Sequence, residues 1–179
     1  MDGLAKSAHQ LHRETKCPLG KEEVKRLVKI AKEKAWQTSY DTAIERAQGE
    51  LHIGTIKTVI GYWPWAVFKH RAIETAVSRM KIGHLELNES LNRFGQAVSH
   101  LCSRCNVPES VEHYLLICRR FTEQRRRLVT ALNQNGIHSI NVKTILGGAR
   151  LTPEQQKCIA THLERYIRET KRLNGVSKP

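Results

Sequence analysis

Apolar positions recur at three- and four-residue intervals through much of this chain, and that periodicity predicts a mainly α-helical fold. Val24, Leu27, Val28, Ala31 and Ala35 mark one side of a long amphipathic helix from Lys21 to about Ala47. Lysines and glutamates fill the remaining positions, and Gly49 is placed to end it. A second stripe, Phe68, Ala72, Ile73, Ala76, Val77 and Met80, predicts a helix from Phe68 to about Lys81, with Gly83 near its end. Leu87 to Phe94 reads as a short helix stopped by Gly95. Ser110 can cap a helix that starts at Val111 and continues to about Asn133, before Asn135-Gly136. Thr152-Pro153-Glu154-Gln155 combines a capping threonine, a first-turn proline and a glutamine at the third position. Behind it Ile159, Leu163, Tyr166, Ile167 and Leu173 form a last apolar stripe, which Gly175 would end.

The segments between these stripes are less regular. Met1 to His12 reads as the start or the torn end of a helix, with Asp2, Leu4, Ala5, Ala8 and Leu11 in mixed helical spacing, broken by Cys17-Pro18-Leu19-Gly20. Leu51 to Ile60 fits no clean period and reads as an irregular connector or a short strand. Tyr62-Trp63-Pro64-Trp65 is an aromatic turn; it suits a tryptophan anchor packed on helices, or a platform on which bases stack. Ile137 to Arg150 reads as a connector with Gly147-Gly148. Together the pattern gives about five or six helices around one core.

Composition sharpens this picture in two ways. The 179 residues carry 30 lysines and arginines against 17 acids, a formal net charge of +13. Such an excess points to a polyanion, RNA or DNA first and an anionic membrane surface second. No stretch approaches the ~18 to 20 apolar residues of a membrane span, and no secretory leader is visible. The cysteine count, five, is odd, which argues against a disulfide framework and for a reducing, intracellular compartment, cytoplasmic or nuclear.

Three of those cysteines and one histidine form the run Cys102-x2-Cys105-x7-His113-x4-Cys118. This spacing suits one tetrahedral zinc ion, and four protein donors leave no open position for an activated water. The expected site is therefore structural. A Cys-x2-Cys turn offers two thiolates from one knuckle, and a helix supplies the other pair. Five residues on an ideal helix of ~3.6 residues per turn subtend about 140°, too wide for His113 and Cys118 to reach one ion. Either the helix loosens before Cys118 or Cys118 lies just past its end. Cys17 and Cys158 stand apart and read as small apolar fillers. His84 suits a helix-end hydrogen bond to a carbonyl, a donor behind the metal ligands, or a nucleic-acid contact.

Directly after the cluster, Arg119, Arg120, Arg125, Arg126 and Arg127 stand against the single acid Glu123. On a helical wheel with a ~3.6-residue repeat, Arg119, Arg120, Arg126 and Arg127 fall within about 120° of each other. Phe121, Leu128 and Leu132 fall opposite. With Arg104 they form a candidate phosphate-binding row, because a guanidinium fork matches phosphate oxygens two bonds at a time. A merely solvated helix face would carry the same charges.

The stretches Ser78-Arg-Met-Lys-Ile-Gly-His84-Leu-Glu-Leu-Asn, Leu91-Asn-Arg-Phe94, Cys102-Ser-Arg-Cys105 and Val111-Glu-His113-Tyr-Leu-Leu-Ile-Cys118 resemble the C-terminal region of non-LTR (LINE-like) retrotransposon polyproteins. There an "RLR-x-GH" segment precedes a "C-x2-C … VEH-x-L-x2-C" zinc-type motif; Met80 is a conservative departure. Ala35-Trp36-Gln37 resembles the family's tryptophan–glutamine element, and Asp2-Gly-Leu-Ala-Lys6 resembles the end of a retroelement RNase H domain. The resemblance implies a division into an RNase H remnant (1–16), a helical region (17–100), a zinc knuckle with its arginine-rich helix (101–136), and a C-terminal connector and helix (137–179). It also implies that reverse transcriptase and nearly all of RNase H lie outside this chain. Two-metal hydrolysis needs several carboxylates on a sheet, and Asp2 stands alone, so no nuclease activity is expected. The expected function is a non-catalytic, zinc-containing nucleic-acid-binding module of a retroelement reverse transcriptase. A structural or protein-docking domain of the same polyprotein is the other reading.

Overall fold

In the computed structural model, residues 19–46, 52–60, 68–147 and 150–173 are described. Asp2, Cys17, Gly49, the Tyr62-to-Trp65 turn and Gly175 lie outside them. The described chain is mostly helical and holds no β-strand; Leu101 and Pro108 form one isolated antiparallel bridge. Among the described residues there are seven α-helical segments: α1 (Lys21–Arg46), α2 (His52–Ile56), α3 (Arg71–Ile82), α4 (Asn88–Arg93), α5 (Thr122–Gln134), α6 (Val142–Ile145) and α7 (Pro153–Thr170). Among the described residues, no helix is long and apolar enough to cross a membrane.

Two of the segments correct the sequence reading. The Leu51-to-Ile60 stretch holds α2 rather than a strand, and the 137–150 connector holds α6. Both are too short to show a helical period. Asn141 starts α6 by accepting the Thr144 N–H on its side chain, 2.9 Å away. Their apolar side chains Ile56, Ile145 and Leu146 are fully buried, so tertiary packing stabilises turns that local periodicity cannot announce.

One core runs from Ile56 to Leu173. Helix α3 contributes Ile73, Ala76, Val77 and Met80, while Ala72 is exposed. It ends at Gly83 in the left-handed region (φ 72°), where a side chain would be strained. The most extensive pairing joins α5, through Leu128 and Leu132, to α7, through Ile159, Leu163 and Ile167. Helix α7 begins in the anticipated capping box: the Thr152 hydroxyl accepts from the Gln155 N–H, and the Gln155 side chain accepts from the Thr152 N–H. It ends at Thr170, with Lys171 left-handed, earlier than Gly175.

Helix α1 has the predicted span but none of its residues is buried. Leu27, Val28 and Ile30 are exposed, and Trp36 is 63% exposed. Ion pairs Lys25–Glu22 and Arg26–Glu23 lie on its exposed surface, where solvent screening leaves them little influence on stability. Its C-terminal half is tied to the segment after α2. The Gln37 side chain donates to the Thr58 carbonyl (3.1 Å) and accepts from the Ile60 N–H (2.8 Å), as a strand neighbour would. The Tyr40 hydroxyl donates to the Lys57 carbonyl at 2.7 Å. Gly54 lets α2 approach closely: a Cβ there would stand 2.5 Å from the Ile44 side chain.

Candidate metal centre

The first pair of donors comes from a tight knuckle. The Cys102 N–H donates to the Val107 carbonyl, and the Asn106 N–H to the Cys102 carbonyl, each at 2.8 Å. Asn106 adopts φ 56°, a left-handed turn that asparagine tolerates better than most residues. This closes the loop with Cys102 buried and Cys105 at its edge.

The second pair solves the angular problem of the five-residue spacing. Ser110 caps the helix start, its hydroxyl accepting the His113 N–H at 3.0 Å. From His113 to Ile117 the backbone widens into a π-turn, and the Cys118 N–H reaches the His113 carbonyl at 2.7 Å. An i→i+5 ring brings residues five apart onto one side, which an α-helix cannot do. Cys118 itself is extended (ψ 122°), and the chain restarts as a 3₁₀ turn, Arg119–Phe121, that leads into α5. The expected continuous helix from Val111 to Asn133 is thus broken at Cys118.

The break releases backbone groups, and each finds a specific partner. The Arg119 N–H turns to Cys105 Sγ at 3.4 Å. The Cys118 carbonyl accepts from Arg125 Nη1 at 3.0 Å. The Tyr114 carbonyl accepts the Tyr166 hydroxyl from α7. Sequence reasoning placed Arg125 in the charged run without giving it this role. The only advance signal was the spacing itself, since a helix forced open must leave carbonyls to satisfy.

All four donor atoms lie within 4.8 Å of one another. Cys102 Sγ and Cys118 Sγ are 3.8 Å apart, and Cys105 Sγ and Cys118 Sγ 4.0 Å. Two thiolates on one tetrahedral zinc, each at about 2.3 Å, would stand about 3.8 Å apart. A disulfide would need about 2.0 Å, and the cysteines are free. His113 is 2% exposed, and neither ring nitrogen has a hydrogen-bond partner among protein groups. Leaving such an atom unpaired in the interior is costly, and a coordinated cation would satisfy one of the two. The four residues therefore form a group that can hold a metal ion.

Local electrostatics act in opposite directions on the donors. Burial pushes the Cys118 thiol up to about 11. The Arg119 N–H holds Cys105 below the usual thiol range. Burial lowers the His113 imidazole below its ordinary value, with Glu109 opposing the shift and Arg125 adding to it, which favours the neutral form that ligates metals. Behind the site lies a clamp that sequence reasoning missed. Arg172 grips Glu109 with two hydrogen bonds, Nη2 to Oε2 at 2.6 Å and Nε to Oε1 at 2.9 Å. The Asn88 N–H adds a third to that carboxylate, and the Asn88 side chain donates to the Leu101 carbonyl beside the knuckle.

The candidate arginines divide into two groups. Arg104 and Arg119 are exposed, and no described carboxylate pairs with either side chain. Arg120 donates to the Ser103 hydroxyl at 3.0 Å and lies over the Phe121 ring. Arg126 and Arg127 belong to α5 and share Glu123; Arg127 also meets Glu169 on α7. Because the 3₁₀ turn separates the two groups, they do not share one helical wheel. Arg104, Arg119 and Arg120 border the knuckle, whereas Arg126 and Arg127 are already partly neutralised. Compared with known protein families, curated proteins and solved structures, the chain gives no match.

Proposed function

We propose that this chain is a non-catalytic module that binds RNA or DNA along the phosphate backbone, organised by one structural zinc ion. The reading rests chiefly on the spatial convergence of Cys102, Cys105, His113 and Cys118, with the Arg120 guanidinium on the Ser103 hydroxyl of the knuckle and Arg104 and Arg119 next to the donors along the chain. Three thiolates on a divalent ion leave a charge of −1, which Arg104, Arg119 and Arg120 offset while keeping donors for phosphate. Zinc accepts such a sulfur-rich tetrahedron, and four protein donors leave no place for a reacting water. A net charge of +13 supports a polyanionic partner, and the motif resemblance supports an origin in a retroelement polyprotein.

The test is affinity for labelled single-stranded RNA and for DNA across a salt series. Binding should weaken steeply and linearly on a log–log plot, and Arg104→Glu with Arg119→Glu should flatten the slope by about two. Binding that ignores salt, or a double variant equal to the parent, would overturn the reading. A second reading, a protein-docking domain, draws support from the uncovered apolar positions of α1, Leu27, Val28 and Trp36.

A further inference from the structure

Two helix ends meet at the Gly83 carbonyl, which accepts from the Ser90 hydroxyl (3.2 Å) and from Arg93 Nη2 (2.9 Å). His84 follows the end of α3, its N–H bound to the Arg79 carbonyl at 2.9 Å. Phe94 follows the end of α4. Its turn is closed by Gly95 in the left-handed region (φ 69°), by the Gln96 N–H on the Leu91 carbonyl and by the Asn92 side chain on the Ala97 carbonyl. Both side chains therefore leave from fixed backbone.

The two rings meet edge to face with centroids 5.2 Å apart, and the Arg93 guanidinium lies 5.3 Å from the Phe94 centroid. Despite these contacts Phe94 is 52% exposed. Arg93 has no carboxylate partner among the described residues; its hydrogen bond goes to a carbonyl. An aromatic ring held at a set angle, half open to water and with a cation over one face, matches the two halves of a nucleotide. The ring offers a stacking surface for a base, and the guanidinium offers donors to the phosphate. An apolar protein partner would instead bury Arg93 without a counter-charge.

We propose that His84, Arg93 and Phe94 form a subsite for one unpaired nucleotide of a single strand, with the base stacked on Phe94 and the phosphate held by Arg93. The proposal rests on the nucleic-acid reading above and adds a preference for single strands, because a base inside a duplex cannot reach the ring.

The experiment uses the full chain with a single-stranded RNA carrying 2-aminopurine, and with the matching duplex, for the parent, Phe94→Leu and Phe94→Tyr. Stacking should quench the 2-aminopurine signal on binding. Phe94→Leu should abolish the quench and weaken single-strand binding roughly tenfold, with duplex affinity and salt slope unchanged. Phe94→Tyr should restore both. Full quenching and parental affinity in Phe94→Leu would overturn the subsite while leaving the backbone reading intact. Equal losses on single strand and duplex would also overturn it. A parent that binds neither nucleic acid would remove both readings, and circular dichroism of each variant separates these results from misfolding.

Discussion

The Tyr166 hydroxyl, on the last helix, donates to the Tyr114 carbonyl inside the π-turn that presents His113 and Cys118. This bond joins the cluster to the core at the point where the helix departs from regular geometry. Tyr114, Phe121 and Tyr166 pack edge to face around it, with centroid separations of 5.4 to 6.5 Å. Removing the hydroxyl leaves a buried carbonyl unpaired. Tyr166→Phe should cost about 1 to 3 kcal/mol in urea unfolding, although it deletes one atom from a core that is otherwise unchanged. A variant as stable as the parent would show that the π-turn does not depend on this bond.

Glu109 and Arg172 make a second tie, with side-chain exposures of 5% and 17%. Burial alone would raise the Glu109 carboxyl, but the Arg172 hydrogen bonds, the Asn88 N–H and the nearby cations bring it below the ordinary carboxylate value. A carboxyl lowered in the folded state stabilises the fold above its unfolded value. That contribution is lost as pH falls through the lower, folded value. Stability should therefore decline on acidification below about pH 4.5 in the parent and more weakly in Glu109→Gln. At neutral pH, Glu109→Gln should lose about 3 kcal/mol, because Arg172 is left half-buried without its partner. Parallel pH profiles for the two proteins would contradict this.

Glu123 restrains two cations at once, Arg126 at 2.7 Å and Arg127 at 3.8 Å. Glu123→Gln should free Arg126 for phosphate, while Arg127 keeps its pairing with Glu169. Binding to RNA at low salt should tighten, and the salt slope should steepen by about one. If affinity is unchanged, α5 does not face the nucleic acid and the knuckle arginines act alone.

The Thr152 capping box at the start of α7 is predicted to contribute locally. Thr152→Ala should cost about 1 kcal/mol, and Thr152→Ser most of an order less. Although Tyr166 lies on the same helix, the cap is at its opposite end, so the alanine variant should lower the thermal midpoint without altering metal content. Metal loss at constant helicity would contradict this and show that the cap is coupled to the site through the Tyr166 bond.

Much of this arrangement is legible in the chain, for physical reasons that differ by element. Helices α3 and α7 announce themselves because Ile73, Val77 and Met80, and Ile159, Leu163 and Ile167, repeat at the helical period with clear stop or start residues. The candidate donor set is readable because sulfur and imidazole donors at close spacing have few other uses. The 140° mismatch between His113 and Cys118 even requires a departure from α-helix. What spacing cannot reveal is how the departure is satisfied, since Arg125, Tyr166 and the Cys105 sulfur come from other parts of the sequence. The Glu109–Arg172 clamp is hidden for the same reason, its partners being 63 residues apart. Helix α1 shows the opposite case: its stripe of Val24, Leu27 and Val28 predicts burial, yet no described element covers it. Periodicity reports which face a helix can bury, not whether a neighbour is there.

The most direct test of the account is the metal content of the folded chain, measured by native mass spectrometry and elemental analysis for the parent and for Cys118→Ser. The account predicts one zinc ion per parent chain, and loss of both zinc and helical signal in the variant. A parent that is fully helical without metal, with Cys102, Cys105 and Cys118 all open to alkylation, would contradict it.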